Sequence, residues 1–264
     1  MKIKDVLNKE NDDLIIGLSY LIDKSKSYIY LNPELELDKD IKEKVLSIEE
    51  DLENDIPLQY ALGFWEFLNI KLKVDKRALI PRFETEIIVD YIIKSDYKKD
   101  KILDIGAGSG AISLGLAKNL PDSEIIGVDI SDEALSLCRE NKENLDLFNV
   151  EFIKSDLFEN VDKEFDIIIS NPPYINKKDF DALDKKLYKE PKLALYGGED
   201  GLFFYKEIIK KAGAYLYEDG RLIFEIGYDQ KDEINELLVK SDFKNIINLK
   251  DFNGFDRFII AQKG

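Results

Sequence analysis

The chain has 264 residues, enough for one large domain or for a core domain with a small companion. It contains no histidine and one cysteine, which excludes histidine bases, Ser-His triads, intrachain disulfides and Cys/His zinc sites; no metal is expected. With 38 basic and 54 acidic residues the formal net charge is −16, which argues against direct contact with nucleic acid and for a protein or small-molecule substrate. No apolar run approaches the roughly 18 residues of a membrane span. Met1-Lys2-Ile3-Lys4-Asp5 lacks the apolar region of a signal peptide. A cytoplasmic protein that does not engage membranes is the expectation, and Cys138, on an apolar helical pattern, is read as structural.

Residues 1–62 are charged and carry one glycine, Gly17. Leu14, Ile15, Leu18, Leu21 and Ile22 recur at helical spacing, so a small helical domain is predicted. Pro33, after Asn32, suits the first turn of its next helix. Residues 63–82 change character: Phe64-Trp65-Glu66-Phe67 and Ile70-Lys71-Leu72-Lys73-Val74 flank Leu68-Asn69, the pattern of a β-hairpin linker. Residues 83–264 form the third region. An apolar-periodic helix runs through Tyr91, and strands and helices then alternate. Strands are predicted at 101–105, 124–129, 150–154, 165–170, 220–226, 244–249 and 256–262. Helices are predicted at 110–119, 132–145, 201–217 and 229–240. This alternation predicts an α/β fold, a seven-stranded doubly wound sheet covered on both faces, with the last two strands as an antiparallel hairpin.

The first strand of the sheet ends in Asp104-Ile105-Gly106-Ala107-Gly108-Ser109-Gly110 before a helix. Glycines there let the chain turn sharply and let a ligand lie against the backbone. The second strand ends in Asp129, placed to accept the hydroxyls of a ribose, and Ser131 can cap the helix that follows. Two cofactors fit such a turn, a nicotinamide dinucleotide and S-adenosyl-L-methionine. The tight Gly-x-Gly-x-Gly form favours the second, which has no phosphate to cradle. Asp104 or the loop carbonyls can accept from a methionine ammonium. Asp156, after the third strand, can accept from an adenine amino group, with Leu157 or Phe158 packed on the ring.

The fourth strand runs into Asn171-Pro172-Pro173-Tyr174. Consecutive prolines stop the sheet and leave the Pro172 carbonyl free of ladder duty. Asn171 adds a second acceptor and Tyr174 a flat wall. Two acceptors can bind the two N–H groups of a planar amide or amino nitrogen and hold it in line with a methyl donor. Such a nitrogen turns acidic as it gains charge, so no strong base is needed. The pair of motifs therefore points to nitrogen methylation.

With these motifs placed, the chain resembles the peptide chain release factor glutamine N5-methyltransferases over nearly its full length. The resemblance rests on Gln59-Tyr60-x-x-Gly63 with Phe67, on Leu79-Ile80-Pro81-Arg82-x-Glu84-Thr85-Glu86, on Glu190-Pro191-x-x-Ala194-Leu195-x-Gly197-Gly198-x-Asp200-Gly201, and on Glu225-Ile226-Gly227-x-x-Gln230. The tetrapeptide alone is shared with DNA adenine and other nitrogen methyltransferases. The resemblance implies a class I S-adenosylmethionine methyltransferase domain. It implies that the substrate is the glutamine of the Gly-Gly-Gln motif in class 1 release factors, that the enzyme is a monomer, and that the helical domain docks the release factor. Asn171, Pro172, Pro173 and Tyr174 would hold the amide; Asp104, Gly106, Ala107, Gly108, Ser109, Gly110, Asp129, Asp156, Leu157 and Asn171 would face the cofactor. The alternatives are a ribosomal-protein glutamine methyltransferase and a DNA adenine N6-methyltransferase. The chain has Phe83 and Leu157 where family members often have proline and tryptophan, so an adenine contact at Leu157 would be aliphatic.

Overall fold

The computed structural model describes residues 1–264 and groups them into two compact units. One comprises Met1–Phe64 with Asp184–Lys189. It holds α1 (Ile3–Leu7), α2 (Asp12–Ile22), α3 (Lys26–Leu31), α4 (Lys39–Glu53) and α5 (Leu58–Leu62). Asn11, Ser25 and Asp38 cap α2, α3 and α4 by accepting from Leu14, Tyr28 and Ile41 amides. Leu14, Ile15 and Leu18 of α2 are buried, as are Val45 and Ile48 of α4 and Leu58 of α5. Gly17 explains itself here: a Cβ would stand 3.2 Å from Leu58 and 3.5 Å from Ile48, so its absence lets the helices close. Pro33 does not open a helix. Its carbonyl accepts from the Lys4 amide, and α4 begins only at Lys39, where Asp38 satisfies an orphan amide that proline cannot. Lys186 of the 184–189 segment pairs with Asp13 at 2.7 Å; both are half-buried at a solvent-accessible edge, so the pair contributes about 1 kcal/mol or less.

The second unit comprises Trp65–Leu183 and Glu190–Gly264. Strands β1 (Phe64–Phe67) and β2 (Ile70–Lys73) form a two-stranded sheet turned at Leu68, which takes φ 50°. After α6 (Phe83–Lys94) come β3 (Lys101–Ile105), α7 (Ala111–Asn119), β4 (Glu124–Asp129), α8 (Asp132–Asn144), β5 (Val150–Lys154) and β6 (Phe165–Ser170). Then follow α9 (Lys177–Phe180), α10 (Phe203–Ala212), β7 (Leu216–Glu225), α11 (Lys231–Lys240), β8 (Lys244–Lys250) and β9 (Asp256–Gln262). The seven-stranded sheet has the order β5-β4-β3-β6-β7-β9-β8. β3 pairs in parallel with β4 and β6, β4 with β5 and β6 with β7; β9 runs antiparallel to β7 and β8, the expected terminal hairpin.

In this unit two elements depart from the sequence expectation by more than two residues. The helix predicted at 201–217 is α10, 203–212: Gly201 sits at φ 73° ahead of it, and Gly213–Tyr215 tighten into a 3-10 turn behind it. Strand β7 starts at Leu216 rather than 220, because it pairs with Phe165 before an irregularity that carries Asp219 at φ 62°. Tyr205, Ile208 and Ile209 of α10 and Ile234 and Leu238 of α11 pack with Leu103, Ile168, Leu222 and Phe224 of the sheet. Each fully buried side chain of this size contributes roughly 1.5–3 kcal/mol. No helix is long and apolar enough to cross a membrane.

The strand order decides where a site can lie. From β3 the chain winds outward through β4 and β5, then returns to β6 on the other side of β3. The crevice of such a sheet opens at the carboxyl ends of the strands flanking that reversal. Ile105 is in register with Ser170, and the Ser170 hydroxyl donates to the Ile105 carbonyl at 2.7 Å. The glycine loop after Ile105 and the Asn-Pro-Pro-Tyr loop after Ser170 therefore leave the sheet side by side.

Candidate active site

The glycine loop is held by the end of the adjacent strand β4 and by α8. Gly106 and Ala107 amides donate to the Val128 carbonyl at 2.8 and 3.0 Å, and the Gly108 amide to Asp129 Oδ2 at 2.9 Å. From α8, the buried Cys138 thiol donates to the Gly108 carbonyl and Asn141 to the Ser109 carbonyl. Burial pushes that thiol's pKa well up, consistent with a structural cysteine. Gly106, Gly108 and Gly110 all take positive φ, where other residues are strained. A Cβ on Gly106 would meet nothing within 4 Å, and one on Gly108 only the Gly106 carbonyl at 3.9 Å, so open space lies over the turn. Gly110 differs: its Cβ would stand 2.8 Å from Leu114, a packing reason for glycine.

Two carboxylates flank the loop. Asp129 is half-buried, accepts from the Gly108 and Ser131 amides, and keeps lone pairs on both oxygens; burial raises its pKa. Asp104 is fully buried. Its Oδ2 accepts from the Ser113 hydroxyl at 2.5 Å and amide at 3.2 Å, while Oδ1 has no partner. Burial pushes this carboxyl up to about 7. An orphaned carboxylate oxygen is costly unless a proton or an arriving donor satisfies it.

Of the residues expected at the adenine, Asp156 is exposed and Leu157, at φ 51°, is half-buried. Phe158 is not available to a ligand: it is buried and stacks on Tyr215 at 4.5 Å between ring centroids.

The Asn-Pro-Pro-Tyr loop is held by residues far away in sequence. The Asn171 Nδ2 donates to Thr85 Oγ1 at 3.4 Å, and its Oδ1 has no protein partner. The Pro172 carbonyl accepts no hydrogen bond from the chain. The Gln230 amide donates to the Tyr174 carbonyl at 3.1 Å and the Gly201 carbonyl at 3.2 Å, and its oxygen accepts from the Gly227 amide at 3.0 Å. Ile175 donates to the Leu195 carbonyl and Gly197 to the Ile175 carbonyl. A Cβ on Gly197 would fall 2.6 Å from the Pro173 carbonyl, and one on Gly201 2.4 Å from that of Tyr174. Tyr174 is half-buried against the core; burial, then the nearby Glu225, push its hydroxyl up to about 12.

The segments containing Glu190, Gly197, Gly201, Glu225 and Gln230 carry the family resemblance, but their sequence assigns them no task. The structure brings them around the two loops. Glu190, buried, accepts from the Ile80 amide at 2.9 Å and from Arg82 at 2.6 Å, which pins the Pro81 segment. Glu225, buried, accepts from the Thr85 hydroxyl at 2.6 Å. The shared signal was that each segment pairs a carboxylate or amide with glycine or proline, the composition of a chain held by close approach. A small cavity of about 50 Å³ is bounded by Pro81, Thr85, Gly106, Gly108 and Asn171. A larger one of about 360 Å³ opens beside Tyr174, bordered by Asn176, Asp200, Gly227 and Gln230.

The family described as Methyltransferase small domain matches residues 83–204. The chain is 46% identical over 213 residues to a release factor glutamine methyltransferase of Fusobacterium nucleatum, covering 78% of this chain and 60% of that protein's length. It is 43% identical over 226 residues to a release factor glutamine methyltransferase of Streptococcus pneumoniae, covering 84% of this chain and 81% of that one. Among solved structures, the crystal structure of a methyltransferase from Pyrococcus furiosus superposes with a TM-score of 0.55 at 21% identity, over 73% of this chain and 88% of the other, a likeness of fold.

Proposed function

Because the chain belongs to the release factor glutamine methyltransferase family, we propose that it transfers the methyl group of S-adenosyl-L-methionine to the side-chain amide N5 of the glutamine in the Gly-Gly-Gln motif of class 1 peptide chain release factors. The observation that carries this reading is the placement of Asn171 and the Pro172 carbonyl beside the glycine loop at the reversal of strand order. Both are acceptors with no partner in the chain, which is what a primary amide with two N–H groups requires.

The residues present fit the methyl donor. The space over Gly106 and Gly108 admits a ligand against the backbone, and Asp129 keeps lone pairs for ribose hydroxyls. The orphaned Asp104 Oδ1 fits the approach of an ammonium or of a water bound to it. Ala107, Ser109 and Gly110 complete the turn, and Asp156 and Leu157 are the positions for the adenine. The donor supplies an electrophilic methyl on a sulfonium. Asn171 Oδ1 and the Pro172 carbonyl orient the glutamine nitrogen and stabilise the positive charge that develops on it. Pro173 stiffens the loop, and Tyr174 forms a wall for the amide plane. The proton then leaves an acidified nitrogen to water, so a chain without histidine suffices.

In this reading residues 1–62 dock the release factor, 63–82 act as the linker and 83–264 do the chemistry, the enzyme working as a monomer on protein and not on nucleic acid. The test is transfer of labelled methyl to purified release factor, ribosomal protein and DNA. Label is expected on the release factor glutamine alone. Label on DNA, on ribosomal protein only, or on none of the three overturns the reading. Asn171→Ala should abolish turnover while leaving donor affinity within a few-fold.

A further inference from the structure

We propose that Glu225 and Thr85 are positioning residues that fix which way round the Asn171 side-chain amide faces, so that its oxygen and not its nitrogen meets the substrate. The inference rests on the methyl-transfer reading above and deepens it. An asparagine amide has nearly the same shape in its two flipped orientations, so packing alone does not choose between them. Hydrogen-bond direction does.

The chain of contacts runs one way. Glu225 closes β7 and is 3% exposed; Thr85 lies in the first turn of α6 and is 4% exposed. Thr85 Oγ1 is 2.6 Å from Glu225 Oε2 and 3.4 Å from Asn171 Nδ2. A hydroxyl has a single proton. An ionised Glu225 can only accept, so that proton is committed to it, and Thr85 offers Asn171 only lone pairs. Asn171 must then present its NH₂ to Thr85, which turns Oδ1 away from it. Thr85 and Asn171 both border the small cavity against Gly106 and Gly108. With the amide reversed, an N–H of Asn171 would face the N–H of the substrate amide, two donors and no acceptor.

The charged and titratable groups around Glu225 are Arg82 and Glu84 at the start of α6, Arg257 on β9 and Tyr174 on the Asn-Pro-Pro-Tyr loop, while Tyr205 of α10 donates to its backbone carbonyl at 2.9 Å. Burial pushes the Glu225 carboxyl up to about 7. Protonated, it becomes a donor to Thr85, whose own proton is then free for Asn171 Oδ1, and the preferred orientation of the amide reverses.

The experiment uses the full chain and has two readouts. In ¹⁵N spectra, the Asn171 side-chain amide is assigned by its loss in Asn171→Ala. Its NH₂ resonance should move in Thr85→Val and should move in wild type as pH falls through the Glu225 ionisation. In single-turnover transfer to the release factor, Thr85→Val should lower the rate roughly 10- to 100-fold with donor Kd changed less than about threefold. Thr85→Ser should recover most of that loss, and Glu225→Gln should remove the acid limb of the rate profile. An Asn171 resonance indifferent to Thr85→Val, or a rate loss matched by an equal loss of donor affinity, overturns the proposal. Should Thr85→Val fail to fold, the wild-type pH titration decides alone: an Asn171 resonance that does not shift rejects it. Because the spectra need no substrate, absence of transfer by the wild type would reject the substrate assignment and leave this inference to the resonance.

Discussion

The glycine loop after β3 and the Asn-Pro-Pro-Tyr loop after β6 leave adjacent strands at the same level, yet they are held by opposite means. Gly106, Ala107 and Gly108 hang from Val128 and Asp129 at the end of the neighbouring strand, and their shape comes from glycine φ values. Asn171 to Tyr174 contain no glycine and are shaped by prolines, by side chains from α6 and the start of α11, and by the closely packed glycine backbone of the stretch before α10. A loop whose turn comes mainly from its own glycines tolerates more change elsewhere. A loop shaped by distant residues fails when any of those supports moves, even where the altered residue touches no ligand.

That contrast can be broken most forcefully at Gly197. In Gly197→Ala the new methyl meets backbone at 2.6–2.9 Å on the Pro173–Tyr174 segment, so the loop itself must shift. The expected loss is about 100-fold in transfer rate, from sub-ångström misplacement of the acceptors, with a fall of about 1–3 kcal/mol in stability. Single-turnover kinetics and denaturant titration check both, and a variant with wild-type rate would remove the idea that this glycine supports the loop.

Asp129→Ala tests the other loop. It removes the acceptor of the Gly108 amide and, in the proposed reading, the acceptor for the ribose, so donor affinity should fall roughly 10- to 100-fold while the rate at saturating donor changes little. Calorimetric titration of the donor reads this directly; a selective loss of rate instead would mean that Asp129 shapes the Asn-Pro-Pro-Tyr loop. Gln230→Ala should give the reverse split, a rate lowered about tenfold with donor affinity kept, since its amide holds the Tyr174 carbonyl and the Gly201 carbonyl packed beside it.

Asp104 gives a pH dependence with a definite sign. Its carboxyl is raised to about 7 in the folded chain from 3.8, so the folded state holds a proton that the unfolded state releases between those values. The contribution of Asp104 to stability therefore falls as pH rises through that window and levels off above about 7. The neutral variant Asp104→Asn should flatten this slope, the difference from wild type growing by on the order of 1–4 kcal/mol across the window. Parallel curves for the two proteins in thermal melts from acid to neutral pH would contradict the raised value. The smallest effect is expected at Phe83, the first residue of α6, where Arg82 before it is already extended at φ −94°, ψ 143°. Phe83→Pro should raise stability by about 0.4–1 kcal/mol, less whatever its exposed ring gains against Phe252, with activity unchanged.

Much of the architecture was legible because its causes are local. Alternating apolar runs and helical periodicity placed β3 to β6 and α8 to within a residue, and the terminal hairpin followed from the lack of a helix between its strands. The boundaries that differed, at α10 and β7, depend on a turn at Gly201 and on a register irregularity opposite Phe165, which are properties of pairing rather than of the segment alone. Pro33 went to a turn because the Lys4 amide claims its carbonyl, a partner 29 positions away.

The same division runs through the site. The sequence by itself determined the two loops as chemical objects: glycines in series permit the turn, a strand-ending aspartate offers acceptors, and a double proline strips a carbonyl of its ladder partner. Only the tertiary structure decided that they stand side by side, because strand order is set by how the sheet buries its faces and not by any motif. It also decided that Glu190 anchors Arg82, that Gly197 and Gly201 press on Pro173 and Tyr174, and that Glu225 reaches Asn171 through Thr85. These contacts span tens of residues to well over a hundred, and their direction depends on where single protons sit, which no local pattern of residue types records.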